Sequence, residues 1–126
     1  MATDPQFAAT PGLKHGQVST ANSNRDGTGT IATILTAGSN GTKIEEVTVI
    51  ATGTTTAGMV RLYLHDGTNA RLFDEFAISA VTPSGTVACW RQTRTYQNLV
   101  LPSGWSLRAS THNAETFNVE AFAGDF

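Results

Sequence analysis

The stretch Met59–Phe73, MVRLYLHDGTNARLF, most constrains what this chain can fold into. Val60, Leu62 and Leu64 fall on one side of an extended strand, and Met59, Arg61, Tyr63 and His65 on the other. That period of two marks a strand with one apolar face, not a helix. His65–Asn69 supplies the turn. Gly67 tolerates positive φ and Asp66 bonds to nearby backbone, so Asp-Gly suits a tight hairpin. Ala70–Phe73 begins the return strand, and Leu72, Phe76 and Ile78 are expected on one face.

The same alternation recurs along the chain. Met1–His15 lacks either period and reads as an extended arm or a disordered tail, with Phe7 and Leu13 as its apolar side chains. A first short strand is expected over Gly16–Ala21, then turn chemistry over Asn22–Gly29. Thr30–Thr36 and Thr42–Thr52 are β-rich, separated by Asn40-Gly41. Ile44 breaks the parity of Val47, Val49 and Ala51, so a bulge near Glu45–Glu46 is expected to restore it to the core. Thr86–Tyr96 is strand-like, with Trp90, Gln92 and Arg94 on one side, and Leu99–Leu101 forms a short apolar piece. In Trp105–Thr111 the residues Trp105, Leu107 and Ala109 point in and Ser106, Arg108 and Ser110 out. Phe117, Val119, Ala121 and Ala123 close the fold. About eight strands at this spacing predict an all-β fold. An antiparallel β-sandwich of jelly-roll type over residues 16–126 is the expected architecture, with an up-and-down barrel as the alternative.

Composition narrows the function. Of 126 residues only 14% are charged, where about a quarter is usual, and the net charge is −2. Without a basic patch, nucleic acid is not an expected partner. No apolar run reaches membrane-spanning length and none reads as a signal peptide, so a soluble protein made in a cytoplasm is expected. The single cysteine, Cys89, allows no internal disulfide and no cysteine metal site, and reads as a small buried hydrophobe.

No catalytic pattern emerges. His15, His65 and His112 sit in turns or the tail and read as solvated loop residues. His65 beside Asp66 offers too few ligands for a metal. The aspartates form no calcium loop, and no nucleophile elbow, P-loop or dinucleotide fingerprint is present. DGTGT at Asp26–Thr30 has no helix behind it to present amides to phosphate. Asp74 and Glu75 are adjacent on a strand and point to opposite faces, so they cannot share a proton. Asn40-Gly41-Thr42 matches a glycosylation sequon but reads as a turn. No enzyme activity, cofactor or metal is expected. Trp105 shares its face with core residues. Trp90, beside Gln92 and Arg94, is the better candidate for an exposed binding or interface aromatic.

Three stretches carry a resemblance: IATILTAGSNGTKIEEVTV at Ile31–Val49, GTTTAGMVRLYLHDGTNARL at Gly53–Leu72, and LPSGWSLRAST at Leu101–Thr111 with the HNAETFNVEAFAGDF that follows. Together they resemble small structural proteins of tailed bacteriophages, of the head decoration (cement) type. The motifs are turns and core strands, not active-site signatures. The resemblance implies a virion protein on the capsid exterior, docked on the major capsid protein or another virion protein, and a homo-oligomer, with a trimer favoured. A tail- or fibre-associated receptor-binding role and a carbohydrate-binding module are the alternatives. Phe7, Leu13, Trp90 and Arg94 are the candidate interface residues.

Overall fold

The computed structural model describes residues 10–126. Eight strands follow one another: β1 (Thr10–Val18), β2 (Ala32–Thr36), β3 (Thr42–Ala51), β4 (Gly58–His65), β5 (Ala70–Ile78), β6 (Arg91–Leu101), β7 (Ser106–Thr111) and β8 (Phe117–Asp125). They form two antiparallel four-stranded sheets, ordered β1-β8-β3-β6 and β2-β7-β4-β5. The pairs β1·β8, β2·β7, β3·β6 and β4·β5 are nested, as if one long hairpin closed at Asp66–Asn69 had been rolled up. The contacts β3·β8 and β4·β7 complete the roll. This is the jelly-roll order, and it rules out the up-and-down barrel, in which sequence neighbours pair all round.

One core lies between the sheets. Ile44, Val47 and Val49 of β3 meet Val60, Leu62 and Phe76 of the other sheet, with Leu107, Ala109, Val119 and Ala121 completing it. The bulge expected near Glu45–Glu46 is present: the register shifts between Ile44 and Glu46, and Ile44 is fully buried. Phe117, Val119, Ala121 and Ala123 point inward as expected.

Several expectations are corrected. Strand β1 starts at Thr10 rather than Gly16, so Thr10–His15 belongs to the sheet, where it pairs in register with Glu120–Asp125; with Pro11, Gly12 and only one large apolar residue, Leu13, it hides its strand character from hydropathy. Met1–Ala9, with Phe7, lies outside the described residues. Thr86–Trp90 is loop, while Leu99–Leu101 is the end of β6. In β5 the register slips at Phe73: Leu62 faces Asp74 but Tyr63 faces Leu72. One extra residue moves Leu72 off the face of Phe76 and Ile78 and leaves it exposed. A third slip, between Thr33 and Leu35, lets both Ile34 and Leu35 reach the interior. Most consequential, β4 and β7 are buried on both faces. Arg61 and Tyr63, with Ser106 and Ser110 beside them, are covered rather than solvated.

The cover is the segment between β1 and β2. Asn22, nearly buried, holds it together: its Nδ2 donates to the carbonyls of Thr28 (2.9 Å) and Thr30 (3.0 Å), and its Oδ1 accepts from the Asn24 amide (3.0 Å). Gly29 makes this closure possible, since its φ of +85° and its approach to Asn22 leave no room for a Cβ. At the other edge, a Cβ on Gly16 would stand 2.8 Å from Ile34 Cδ1, so its absence lets β1 fold onto β2.

Candidate functional site

The outer face of the β2-β7-β4-β5 sheet is closed by polar chemistry. Tyr63 donates its hydroxyl to the carbonyl of Asn24 (2.8 Å). Arg61, 1% exposed, donates from Nε to Glu75 Oε2 (2.9 Å) and from Nη1 to the carbonyl of Asn22 (3.2 Å). Its Nη2 lies 3.2 Å from His112 Nδ1, which must accept because guanidinium has no lone pair to offer. Arg25, on the covering segment, shares Glu75 Oε2 at 2.8 Å. The Arg25 guanidinium, with Arg61 behind it, holds the Glu75 carboxyl below its ordinary range despite partial desolvation. His112 therefore departs from the expected solvated loop histidine. Ser110 Oγ, buried on the same strand system, has no hydrogen-bond partner among the described residues.

A second polar group ties the two sheets along the β5–β6 side. The Arg94 Nη1 donates to Asp74 Oδ1 (2.6 Å) and to the Glu75 carbonyl (2.9 Å), and its guanidinium lies 4.5 Å from the centre of the Phe76 ring. Tyr96 donates its hydroxyl to Asp74 Oδ2 (2.8 Å). Arg94 shares the inward face with Val47, its partner on β3, so it reaches across the sandwich rather than out of it. Desolvation pushes the Asp74 carboxyl up, but hydrogen bonds from Arg94 and Tyr96 outweigh it and the carboxyl ends below its ordinary range. Burial, reinforced by that carboxylate, pushes the Tyr96 phenol far up. Trp90 is half-buried and packs edge-on against Phe117, ring centres 6.2 Å apart. Thus neither Trp90 nor Arg94 stands out from the surface as expected. Their alternation with Gln92 continues the core face, a fact that neighbouring polar residues conceal.

Among the described residues, the outer face of the β1-β8-β3-β6 sheet remains open. Register places its residues in rows: Gln17, Asn118, Ile50 and Arg91; His15, Glu120, Thr48 and Thr93; Leu13, Phe122, Glu46 and Thr95; and Pro11, Gly124, Lys43 and Val100. Directly paired residues share a face, so each row crosses the sheet on the solvent side. Leu13 and Phe122 are partners in register, 51% and 55% exposed, and Val100 is 47% exposed in the next row. A cleft of about 160 Å³ lies beside them, lined by Leu13, Glu46, Thr48, Arg91, Glu120 and Phe122. Of the expected interface residues among the described ones, Leu13 is the one presented well to solvent, and Phe7 lies outside the described residues. Phe122 lies between the inward-facing Ala121 and Ala123 on β8, and its neighbours in register single it out. Among the described residues no three metal-ligating side chains converge.

No protein-family model matches the chain, and no curated protein matches it. Among solved structures, a chain of the cyanophage Pam1 capsid asymmetric unit is similar at a TM-score of 0.47 and 15% identity, over 100% of this chain and 94% of that one.

Proposed function

We propose that this chain is a non-enzymatic structural protein of a tailed-phage virion that decorates and stabilises the capsid. The observation that carries the reading is the asymmetry of the sandwich. One outer face is sealed by the chain's own segment through Arg61, Tyr63 and Glu75. The other, a four-stranded face, leaves Leu13, Phe122 and Val100 exposed among the described residues. Apolar side chains grouped on an uncovered face favour association with another protein. The resemblance of Ile31–Val49, Gly53–Leu72 and Leu101–Phe126 to phage structural proteins supplies the class of partner, the major capsid protein or another virion protein. In this reading the protein is made in the host cytoplasm and ends in the virion as a homo-oligomer, with a trimer favoured.

Co-sedimentation with capsids stripped of the protein tests the proposal. Wild type should sediment with capsids, and the Leu13→Ser/Phe122→Ser variant should remain in the supernatant. Wild type that stays in solution refutes decoration. Light scattering tests the oligomer, which should weigh three times the 13.3 kDa chain. A second reading, a carbohydrate-binding module or tail-associated receptor-binding component, draws on Phe122 as an exposed aromatic flanked by Glu46 and Glu120. Glycan binding without capsid binding would favour it.

A further inference from the structure

We propose that the cleft beside Phe122 receives a single basic side chain, an arginine before a lysine, from the protein on which this one docks. Three features of the cleft point to that chemistry. Its walls at one end are apolar: Leu13 and Phe122 stand next to each other, more than half exposed. Two carboxylates flank the ring. Glu46 is the partner of Phe122 on β3, and Glu120 lies two residues back along β8 on the same face. Neither carboxylate has an ion-pair or hydrogen-bond partner among the described residues, whereas Glu45, Asp74 and Glu75 are each paired with a cation of the chain.

The charge balance supports the sign of the ligand. Glu46 and Glu120 outnumber Arg91, which sits at the row farther from Leu13, next to Ile50. Among other groups on this face, His15 is the partner of Glu120 and Lys43 lies one row beyond Phe122, where Glu45 at 3.2 Å engages it. The surplus at the Phe122 end is therefore negative. An arginine suits such a place because its stem covers the Leu13–Phe122 surface, its planar head lies over the ring, and its N–H fork reaches a carboxylate. The cleft, about 160 Å³, has room for one side chain.

The proposal rests on the decoration reading only for the identity of the partner as a capsid protein; the chemistry of the cleft stands by itself. The full chain, labelled for NMR, is titrated with the capped peptide Gly-Gly-Arg-Gly-Gly and, as a control, Gly-Gly-Gln-Gly-Gly. Arginine peptide should shift the amides of Leu13, Glu46, Glu120 and Phe122, saturating with a dissociation constant on the order of 10 mM. The Glu46→Gln/Glu120→Gln variant, whose near-isosteric changes lie on the outer face and leave the core alone, should bind about tenfold more weakly, and raised salt should act in the same direction. Equal shifts with the glutamine peptide, or none with either, would overturn the proposal. So would shifts at these residues on simple concentration of the protein, which mean that a second copy covers the face, or saturation by glycans alone. Arginine binding by a protein that fails to sediment with capsids would refute decoration and leave the cleft assignment standing.

Discussion

Replacing Asp74 with alanine should show how much of the sandwich is held by its polar tie. In the wild type, Asp74 accepts from Arg94 at 2.6 Å and from Tyr96 at 2.8 Å, joining β5 of one sheet to β6 of the other. Hydrogen bonds to a charged group contribute about 1.5–3 kcal/mol each. The side chains of Arg94 and Asp74 are 34% and 23% exposed, so water takes over part of what is lost. Discounted for that access, the net loss is about 2 kcal/mol. With a urea slope of about 2 kcal/mol/M, the midpoint should fall by about 1 M at unchanged slope. The dependence on pH is the sharper test. The native Asp74 pKa lies below its ordinary 3.8, so the unfolded chain takes up this proton first as the solution is acidified. The contribution of Asp74 is whole above that ordinary value and drains away below it. The stability gap between wild type and Asp74→Ala should hold from neutral pH to about pH 5 and shrink toward about pH 2.5. Carboxylates common to both proteins cancel in the difference. A cycle with Arg94→Ala should show coupling of about 1 kcal/mol or more. A gap under about 0.5 kcal/mol at neutral pH, or one that does not change on acidification, would refute the reasoning.

Leu62→Ala removes a fully buried side chain at the centre of the core and should cost about 2–5 kcal/mol in denaturant melts; a loss typical of surface sites, under about 0.5 kcal/mol, would contradict its burial. Arg61→Ala should cost about 2–3 kcal/mol and speed tryptic cleavage after Arg25, because the covering segment loses its anchor at the Asn22 carbonyl; unchanged cleavage would mean the cover is held by other contacts. Gly16→Ala places a Cβ 3.1 Å from the Thr33 carbonyl and 2.8 Å from Ile34 Cδ1, and should lower the melting temperature by about 4 °C for each of the 1–2 kcal/mol it costs, read by calorimetry.

The strands were legible because their side chains are sorted by local physics. Alternation in β4, β7 and β8 marks one apolar face whatever lies beyond it, and Asp-Gly and Asn-Gly mark the places where the chain reverses. Even the bulge in β3 could be read, since Ile44 on the wrong parity is a conflict that only an extra residue resolves. Beyond the β4·β5 hairpin, which its Asp-Gly turn announced, which strands pair was not legible. Hydrogen bonds between backbones carry no side-chain signature, so the nested pairing β1·β8, β2·β7 and β3·β6 around that hairpin appears only in three dimensions. The site followed the same division. Arg61, Tyr63 and Arg94 read as solvent-facing because charge and hydroxyl imply water. Their burial depends on partners up to 51 residues away, from Asn22 to His112, that supply the hydrogen bonds water would have made. Phe122 looks unremarkable in sequence. Its exposure beside Leu13, flanked by Glu46 and Glu120, comes from the register of β8 against β1 and β3, between which β8 is clamped.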